Sequence, residues 1–416
     1  MNPKAHEPAS LPVPEPTALA QSEALAATIR AEIAATGGWL PFDRYMERAL
    51  YAPGLGYYSG GARKFGWRGD DGSDFVTAPE LSPLFAATLA RAVGEALAAS
   101  GTAHLMEFGA GTGKLAAGLL AALDTAGVPL ESYSIVELSG ELRARQRETI
   151  EAKAPALAAR VRWLDALPSQ FEGVIVGNEV LDAMPVRLFS RRDAVWHERG
   201  VVATETGADA PANANANASA RAFAFSDRPL NRARDTGSDS VPAAIDGSDD
   251  YVTETHDAAL AFTRTVCAML VRGVAFFIDY GFPRHEYYHA QRTQGTLMCH
   301  YRHRSHDDPF LYPGLQDITS HLDFTGIAEA GVEAGATLIG YTSQARFLMN
   351  AGITEVLSEI DPGDVERFLP AANAVQKLVS EAEMGELFKV IAFARGFDAT
   401  AAPLSALSRG DRTHTL

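Results

Sequence analysis

Cysteine is nearly absent from this sequence: Cys267 and Cys299 are the only two in 416 residues. That excludes a disulfide framework and points to a reducing compartment, the cytoplasm. It also weighs against zinc at His300 to Asp308, where three histidines and two acids cluster without the paired Cys and His ligands that a zinc site wants, so no metal is expected. Long apolar runs are missing as well. The longest, such as Val274 to Ile278, are far too short to span a bilayer, and the start of the chain carries no basic-then-apolar leader, so membrane insertion is not expected. A basic surplus is also lacking. With 36 Lys and Arg against 52 Asp and Glu, the formal charge is −16, which leaves nothing to displace counterions from a phosphate backbone and removes nucleic acid from the expected partners.

What is present is ample core material, 47% hydrophobic residues, and a length that allows two or three domains. The most informative stretch is Glu107-Phe108-Gly109-Ala110-Gly111-Thr112-Gly113-Lys114-Leu115. His104 to Phe108 reads as a short buried strand, and Leu115 to Leu123 repeats apolar residues at helical spacing, so the glycines form a strand-to-helix turn. Glycine has no Cβ, so its backbone takes positive φ and lets a ligand lie against the main chain at a helix N-terminus. A phosphate-cradling P-loop would need Gly at Phe108 and Ser or Thr at Leu115, and fails twice. A dinucleotide fingerprint would need its third Gly at Lys114. The spacing G-x-G-x-G after an acid is that of S-adenosylmethionine (SAM) methyltransferases. Tyr133 to Val136 is a second apolar strand, ending at Glu137, where nucleotide-binding α/β folds place an acid on the ribose hydroxyls. A solvent-facing strand-end Glu is the plainer alternative.

Along the chain, residues 1–21 are rich in Pro and Ala and read as a disordered tail. Leu25, Ile29 and Ile33 mark a helix, Phe42 to Leu50 a second, and Ser82 to Ala99 a third, with a long glycine-rich loop, Gly60 to Ser73, before the third. After Glu137 come a charged helix from Gly140 to Ala152 and a strand from Val161 to Leu164, then Asp165, which fits either a simple turn or a ligand contact. The strand Val174 to Gly177 delivers Asn178, Glu179 and Asp182 at its carboxyl end, where open α/β sheets hold their ligands, although Asn and Asp also cap helices. Residues 204–250 alternate Ala and Asn, then turn to Asp, Ser, Gly and Pro. The Ala/Asn alternation runs from Ala212 to Ala218, and residues 204–250 are expected to be a flexible insertion with Phe223 and Phe225 on an edge strand. A helix from Glu254 to Leu270 and a strand from Val274 to Ile278 resume the core, and Asp398 to Leu416 reads as a loose tail.

The combination Tyr45-Met46, Gly56-Tyr57-Tyr58, Asp74-Phe75-x-Thr77-x-Pro79-Glu80-x-Ser82, the glycine turn, Val136-Glu137, Asn178-Glu179-x-x-Asp182-x-x-Pro185, Asp279-Tyr280-Gly281 and His303-x-x-His306-Asp307 resembles the MidA-like SAM-dependent methyltransferase family. Gly314, Asp317-x-Thr319, Asp323-Phe324 and Gly385-Glu386-x-Phe388-Lys389 extend the likeness toward Arg395. Ser73 and Ala86 stand where the family usually has Gly. The resemblance implies an α/β fold of the class I SAM-methyltransferase (Rossmann-like) kind. It would have a seven-stranded sheet, strands at Ala336 to Tyr341 and Leu387 to Ala394 as the sixth and seventh, an N-terminal helical cap and a C-terminal helical insertion. In residue numbers this is a cap and lid over 22–100, core over 101–203 and 251–342, helical insertion over 343–383 and a last core strand over 384–397.

The same resemblance implies SAM as cofactor, held by Glu107, Gly109, Gly111, Gly113, Glu137, Asp165, Thr77 and Pro79. It places Glu179, Asp182 and Asn178 at the chemistry, and Tyr57, Tyr58, Asp74, His303, His306, Asp279 and Tyr280 on the substrate side or the closing loop. The family's mitochondrial members are complex I assembly factors that methylate an arginine, so the implied partner is a protein, a complex I subunit, with a homodimer left open. Two carboxylates suit a guanidinium, which stays protonated at neutral pH and accepts a bidentate grip. A glutamine amide held by Asn178, a small-molecule substrate, or a non-catalytic SAM-binding assembly factor are the alternatives.

Overall fold

The computed structural model describes residues 11–60, 77–204, 222–230 and 250–416. The chain opens with α1 (Pro16–Ala35), the two-residue β1 (Leu40–Pro41) and α2 (Phe42–Tyr51). Helix α1 begins inside the expected tail. Pro16 sits in its first turn, where a missing N–H costs nothing, and Leu25, Ile29 and Ile33 are buried. The expected loop after Gly60 and Asp74 lie outside the described residues. Next come α3 (Ala78–Leu81) and α4 (Pro83–Ser100), whose N-cap Ser82 accepts from the Leu84 N–H.

An α/β core follows: β2 (His104–Phe108), α5 (Lys114–Thr125), β3 (Ser132–Val136), α6 (Gly140–Lys153), β4 (Val161–Leu164) and β5 (Phe171–Asn178). The chain then builds β6 (Arg187–Arg192), β7 (Val195–Ala203), β8 (Phe223–Pro229) and β9 (Tyr251–Thr255). It returns through α7 (Asp257–Met269) to β10 (Leu270–Phe282) and α8 (Arg284–Tyr287). Three short strands, β11 (Met298–Tyr301), β12 (Arg304–His306) and β13 (Asp317–Thr319), precede β14 (Leu322–Asp323), α9 (Phe324–Glu333) and β15 (Thr337–Ser343). Helices α10 (Gln344–Asn350), α11 (Ile353–Ser358), α12 (Val365–Val379) and α13 (Met384–Leu387) then lead into β16 (Phe388–Arg395).

The central mixed sheet runs β15-β16-β10-β5-β2-β3-β4, with the two-residue β14 beside the end of β10 as an eighth strand. Strands β2, β3, β4, β5 and β10 are parallel, whereas β16 lies antiparallel to both β10 and β15. Its inner strands are buried on both faces, as a helix-covered sheet requires. From β2 the order proceeds outward through β3 and β4, then restarts on the other side with β5, so the sheet's switch point falls between Phe108 and its β5 neighbour Gly177.

A second sheet, β1-β7-β6-β9 with β8 on β7, packs against α1 and α2 through Leu25, Ile29, Phe42, Tyr45, Leu188 and Phe223. The edge strand expected at Phe223 and Phe225 is present as β8 and pairs with β7 over seven residues. Residues 205–221 and 231–249 lie outside the described residues. Glu254, expected in a helix, belongs to β9: it is fully buried and accepts from the Thr296 and Leu297 N–H groups and the Tyr287 hydroxyl. Pairing with β6 prevails there over a weak local helical pattern. The third sheet is β12-β11-β13.

The expected C-terminal tail is instead packed. The Arg412 N–H donates to the Tyr341 carbonyl, Asn350 Nδ2 donates to the carbonyls of Ala406 and Arg409, and Leu404 and Ala406 are buried. No helix among the described residues is long and apolar enough to cross a membrane.

Candidate functional site

A cavity of about 1010 Å³ opens at the carboxyl ends of β2, β3 and β5, where the switch point places it. Gly109, Gly111 and Gly113 all take positive φ, at 62°, 52° and 82°. Gly109 and Gly111 line the cavity, but Gly113 does not. A Cβ on Gly113 would stand 2.9 Å from Gln146 Cα, so this glycine lets α5 and α6 approach each other. Glu107 is buried and accepts from the Tyr133 hydroxyl at 2.5 Å. Burial and the nearby Glu137 push its carboxyl up to about 7, against the Tyr133 bond that lowers it.

Glu137 also lines the cavity. Burial raises its pKa, while the Ser139 N–H at 2.9 Å and Gln146 Nε2 at 3.0 Å support the ionised form. Gln146 further donates to the Gly111 carbonyl and accepts from Trp163 Nε1, so one amide fixes the acid and the glycine turn together. No sequence signal distinguishes this glutamine within its charged helix. Thr77 and Pro79 line the same cavity, and Glu80 accepts from Thr112 Oγ1 and Lys114 Nζ, tying α3 to the turn. Asp165 does not line the cavity: its side chain is 90% exposed and pairs with Arg143.

At the β5 end, Glu179 adopts φ of 53°, a left-handed conformation unusual for a residue with a side chain, with its N–H on the Ile278 carbonyl. Its carboxylate accepts from Asn178 Nδ2 at 3.0 Å and the Tyr280 hydroxyl at 3.4 Å. Burial and then Asp279 push it up to about 8. Asp182 is buried, and desolvation with repulsion from Asp279, Asp317 and Glu179 raises it well above the carboxylate range. Neither Glu179 nor Asp182 pairs with a Lys or Arg among the described residues. Asn178, Glu179, Asp182, Tyr58 and Tyr280 all line the cavity. Asn178 Oδ1 is buried without a hydrogen-bond partner among the described residues.

Asp279 stands behind the cavity wall, accepting from the N–H groups of Val180, Leu181, Asp182 and Tyr280, and so shapes the loop that carries the two acids. Tyr57 is core, packed edge-on to Tyr58. His303, at φ of 58° between β11 and β12, and His306, opposite Cys299, are not cavity-lining residues; His300 is. Two further lining residues, Tyr51 and Asp317, are not among the site residues expected from sequence. Asp317 does open the Asp317-x-Thr319 motif, a signal that could have marked it.

The model of a family described as "Putative S-adenosyl-L-methionine-dependent methyltransferase" matches residues 87–342, more than half of the chain. A crystal structure of a "likely methyl transferase from Burkholderia thailandensis bound to S-adenosyl-homocysteine" is 70% identical, covers 98% of this chain and 100% of its own, and superposes with a TM-score of 0.91. Among curated proteins, the mitochondrial protein arginine methyltransferase NDUFAF7 homolog of Caenorhabditis elegans is 26% identical over 351 residues, 78% of this chain and 75% of its own. NDUFAF7 of Danio rerio, also named a mitochondrial protein arginine methyltransferase, is 25% identical over 394 residues, 87% and 84% of the two chains. The chain belongs to this family of SAM-dependent methyltransferases, with SAM as its cofactor.

Proposed function

We propose that this protein methylates the guanidinium of an arginine in a protein substrate, with a respiratory complex I subunit as the target implied by the family resemblance. The observation that carries this reading is the pair Glu179 and Asp182. Two desolvated carboxyls converge at a strand end in the cofactor cavity, without a Lys or Arg partner among the described residues. A bound cation would lower both pKa values and restore their charge, and a planar guanidinium offers donors in a fork that matches two carboxylates. The names of the two curated relatives agree with this chemistry.

The residues present suit the cofactor. Gly109 and Gly111 leave the main chain open, Glu137 retains lone pairs for a ribose diol, and Glu107 stands one strand residue before the turn. In this reading the sheet is a class I, Rossmann-like methyltransferase core, with Glu107 to Thr112, Glu137, Thr77 and Pro79 holding the cofactor. SAM supplies an electrophilic methyl on a sulfonium. Glu179 and Asp182 orient the guanidinium so that one nitrogen lines up for in-line displacement, and Asn178 fixes Glu179. As the N–C bond forms and the S–C pair stays on sulfur, the nitrogen's displaced proton passes to one of these carboxylates.

The test follows labelled methyl from SAM into proteins of a deletion strain, with amino-acid analysis of the product. Methylarginine supports the reading. Label on glutamine would favour the amide alternative, and no labelled protein would favour a small-molecule substrate or a non-catalytic assembly factor.

A further inference from the structure

The cavity has a second wall that lies outside the central sheet. Asp317 opens β13 of the three-stranded sheet, opposite His300 on β11, and is 2% exposed while lining the cavity. Its Oδ1 accepts from the Tyr58 hydroxyl at 3.0 Å and from the Ile318 N–H at 3.0 Å. Tyr58 stacks on Tyr51, with ring centroids 5.4 Å apart and planes at 21°, and the Tyr51 hydroxyl donates to the Ala183 carbonyl at 2.9 Å. The Ser320 N–H, three residues past Asp317, donates to the Asp182 carbonyl at 3.0 Å. These two bonds hold the tyrosines and Asp317 at a set position relative to the loop bearing Glu179 and Asp182. Their proximity is also felt electrostatically, because Asp317 contributes to the rise of Asp182.

We propose that Asp317, with the stacked Tyr51 and Tyr58, forms the far half of a clamp that grips the substrate cation between the methyltransferase sheet and the added three-stranded sheet. The inference rests on the guanidinium reading and extends it by assigning the residues that select a planar cation. Two positive charges, guanidinium and sulfonium, must come into contact for transfer. Glu179 and Asp182 offset part of that repulsion, and a third carboxylate on the opposite wall offsets more. The two tyrosine rings, tethered through their hydroxyls, offer aromatic surface to a flat, weakly hydrated cation, which an amide or a neutral urea would use poorly.

The experiment uses the full chain saturated with S-adenosylhomocysteine and titrates Nα-acetyl-arginine methylamide, with the neutral isostere Nα-acetyl-citrulline methylamide as control, followed by ligand-observed NMR. The wild type is expected to bind the arginine derivative and not the citrulline one. Asp317→Asn should weaken arginine binding by about tenfold or more, as loss of a charge-assisted partner does, with S-adenosylhomocysteine affinity unchanged. Tyr58→Phe, which keeps the carboxylate but removes one of its hydrogen bonds and untethers the ring, should weaken binding by a smaller factor. If Asp317→Asn fails to fold, Tyr58→Phe and Tyr51→Leu decide, and wild-type arginine binding in both would overturn the clamp. Arginine binding lost in Glu179→Gln but intact in Asp317→Asn and Tyr58→Phe would overturn the far wall alone and leave the proposed function standing. Equal binding of arginine and citrulline by the wild type would remove the guanidinium reading itself, and the clamp with it.

Discussion

Replacing Glu179 by Gln should make the protein more stable at alkaline pH while removing its activity. The native carboxyl rises from an ordinary 4.5 to about 8, through burial first and repulsion from Asp279 second. A folded-state pKa above the unfolded one means that the folded protein binds the extra proton. The stability it confers is therefore complete below pH 4.5 and lost progressively as pH rises through 8. At about 1.4 kcal/mol per pKa unit, the ionised form costs roughly 3–5 kcal/mol at pH 8. Gln has the same shape, its Oε1 can still accept from Asn178, and it carries no charge to desolvate. With an unfolding entropy of about 2 cal/mol/K per residue, 1 kcal/mol corresponds to about 1 °C for a chain of this length. Glu179→Gln should thus melt about 3–5 °C above wild type at pH 8 and within about 1 °C of wild type at pH 5. Methyl transfer should fall on the order of a hundredfold, as when other preorganised electrostatic groups are lost, while SAM affinity stays within about twofold. The assays are thermal melts across pH, calorimetry with SAM, and labelled-methyl transfer. A melting difference independent of pH, or a variant less stable than wild type at pH 8, would refute the account of Glu179 as a desolvated acid. Loss of SAM binding would move Glu179 from the substrate side to the cofactor side.

Glu137→Ala should weaken SAM binding by about ten- to a hundredfold by calorimetry, the loss of hydrogen bonds to a charged group, and the wild type should bind neither NAD nor ATP comparably. Tyr133→Phe removes the bond that lowers the Glu107 pKa, so Glu107 should rise above about 7 and the pH below which SAM binding weakens should shift upward in a titration of affinity against pH. Phe223→Ala should cost about 3–5 kcal/mol, because Phe223 is fully buried against α1 and α2. Its melting temperature should fall by several degrees, whereas a Gly/Ser linker in place of residues 205–221 should leave melting nearly unchanged.

Much of the cavity wall around the glycine turn is legible in the sequence alone. The strand His104 to Phe108, the glycine turn and the helix after it are consecutive, and their apolar spacing and lack of Cβ atoms act over a few residues. The strand ending at Glu137 is legible for the same reason. Local pattern misleads where distant packing overrides it. The segment 398–416 resembles a tail because its few apolar residues show no period, yet Leu404 and Ala406 fill a gap in the main core and Arg412 pairs with Glu386. Glu254 has a helical neighbourhood in sequence, but its strand partner, β6, lies more than sixty residues earlier in the chain. Asp165 follows a strand as a cofactor contact would, but its side chain turns outward to Arg143.

By itself, then, the sequence determined the glycine turn, the acid that ends the next strand and the acidic pair beyond β5, because each is encoded by neighbours along the chain. Only the tertiary structure decided that Gln146 links Glu137 to Gly111, that Gly113 serves helix packing, that Asp279 supports the wall while Glu179 and Asp182 face the cavity, and that Tyr51, Tyr58 and Asp317 converge on them. The physical reason is separation: Tyr58 and Asp317 are 259 residues apart, and no local periodicity records a contact that forms only when two sheets and the segment after α2 close around one cavity.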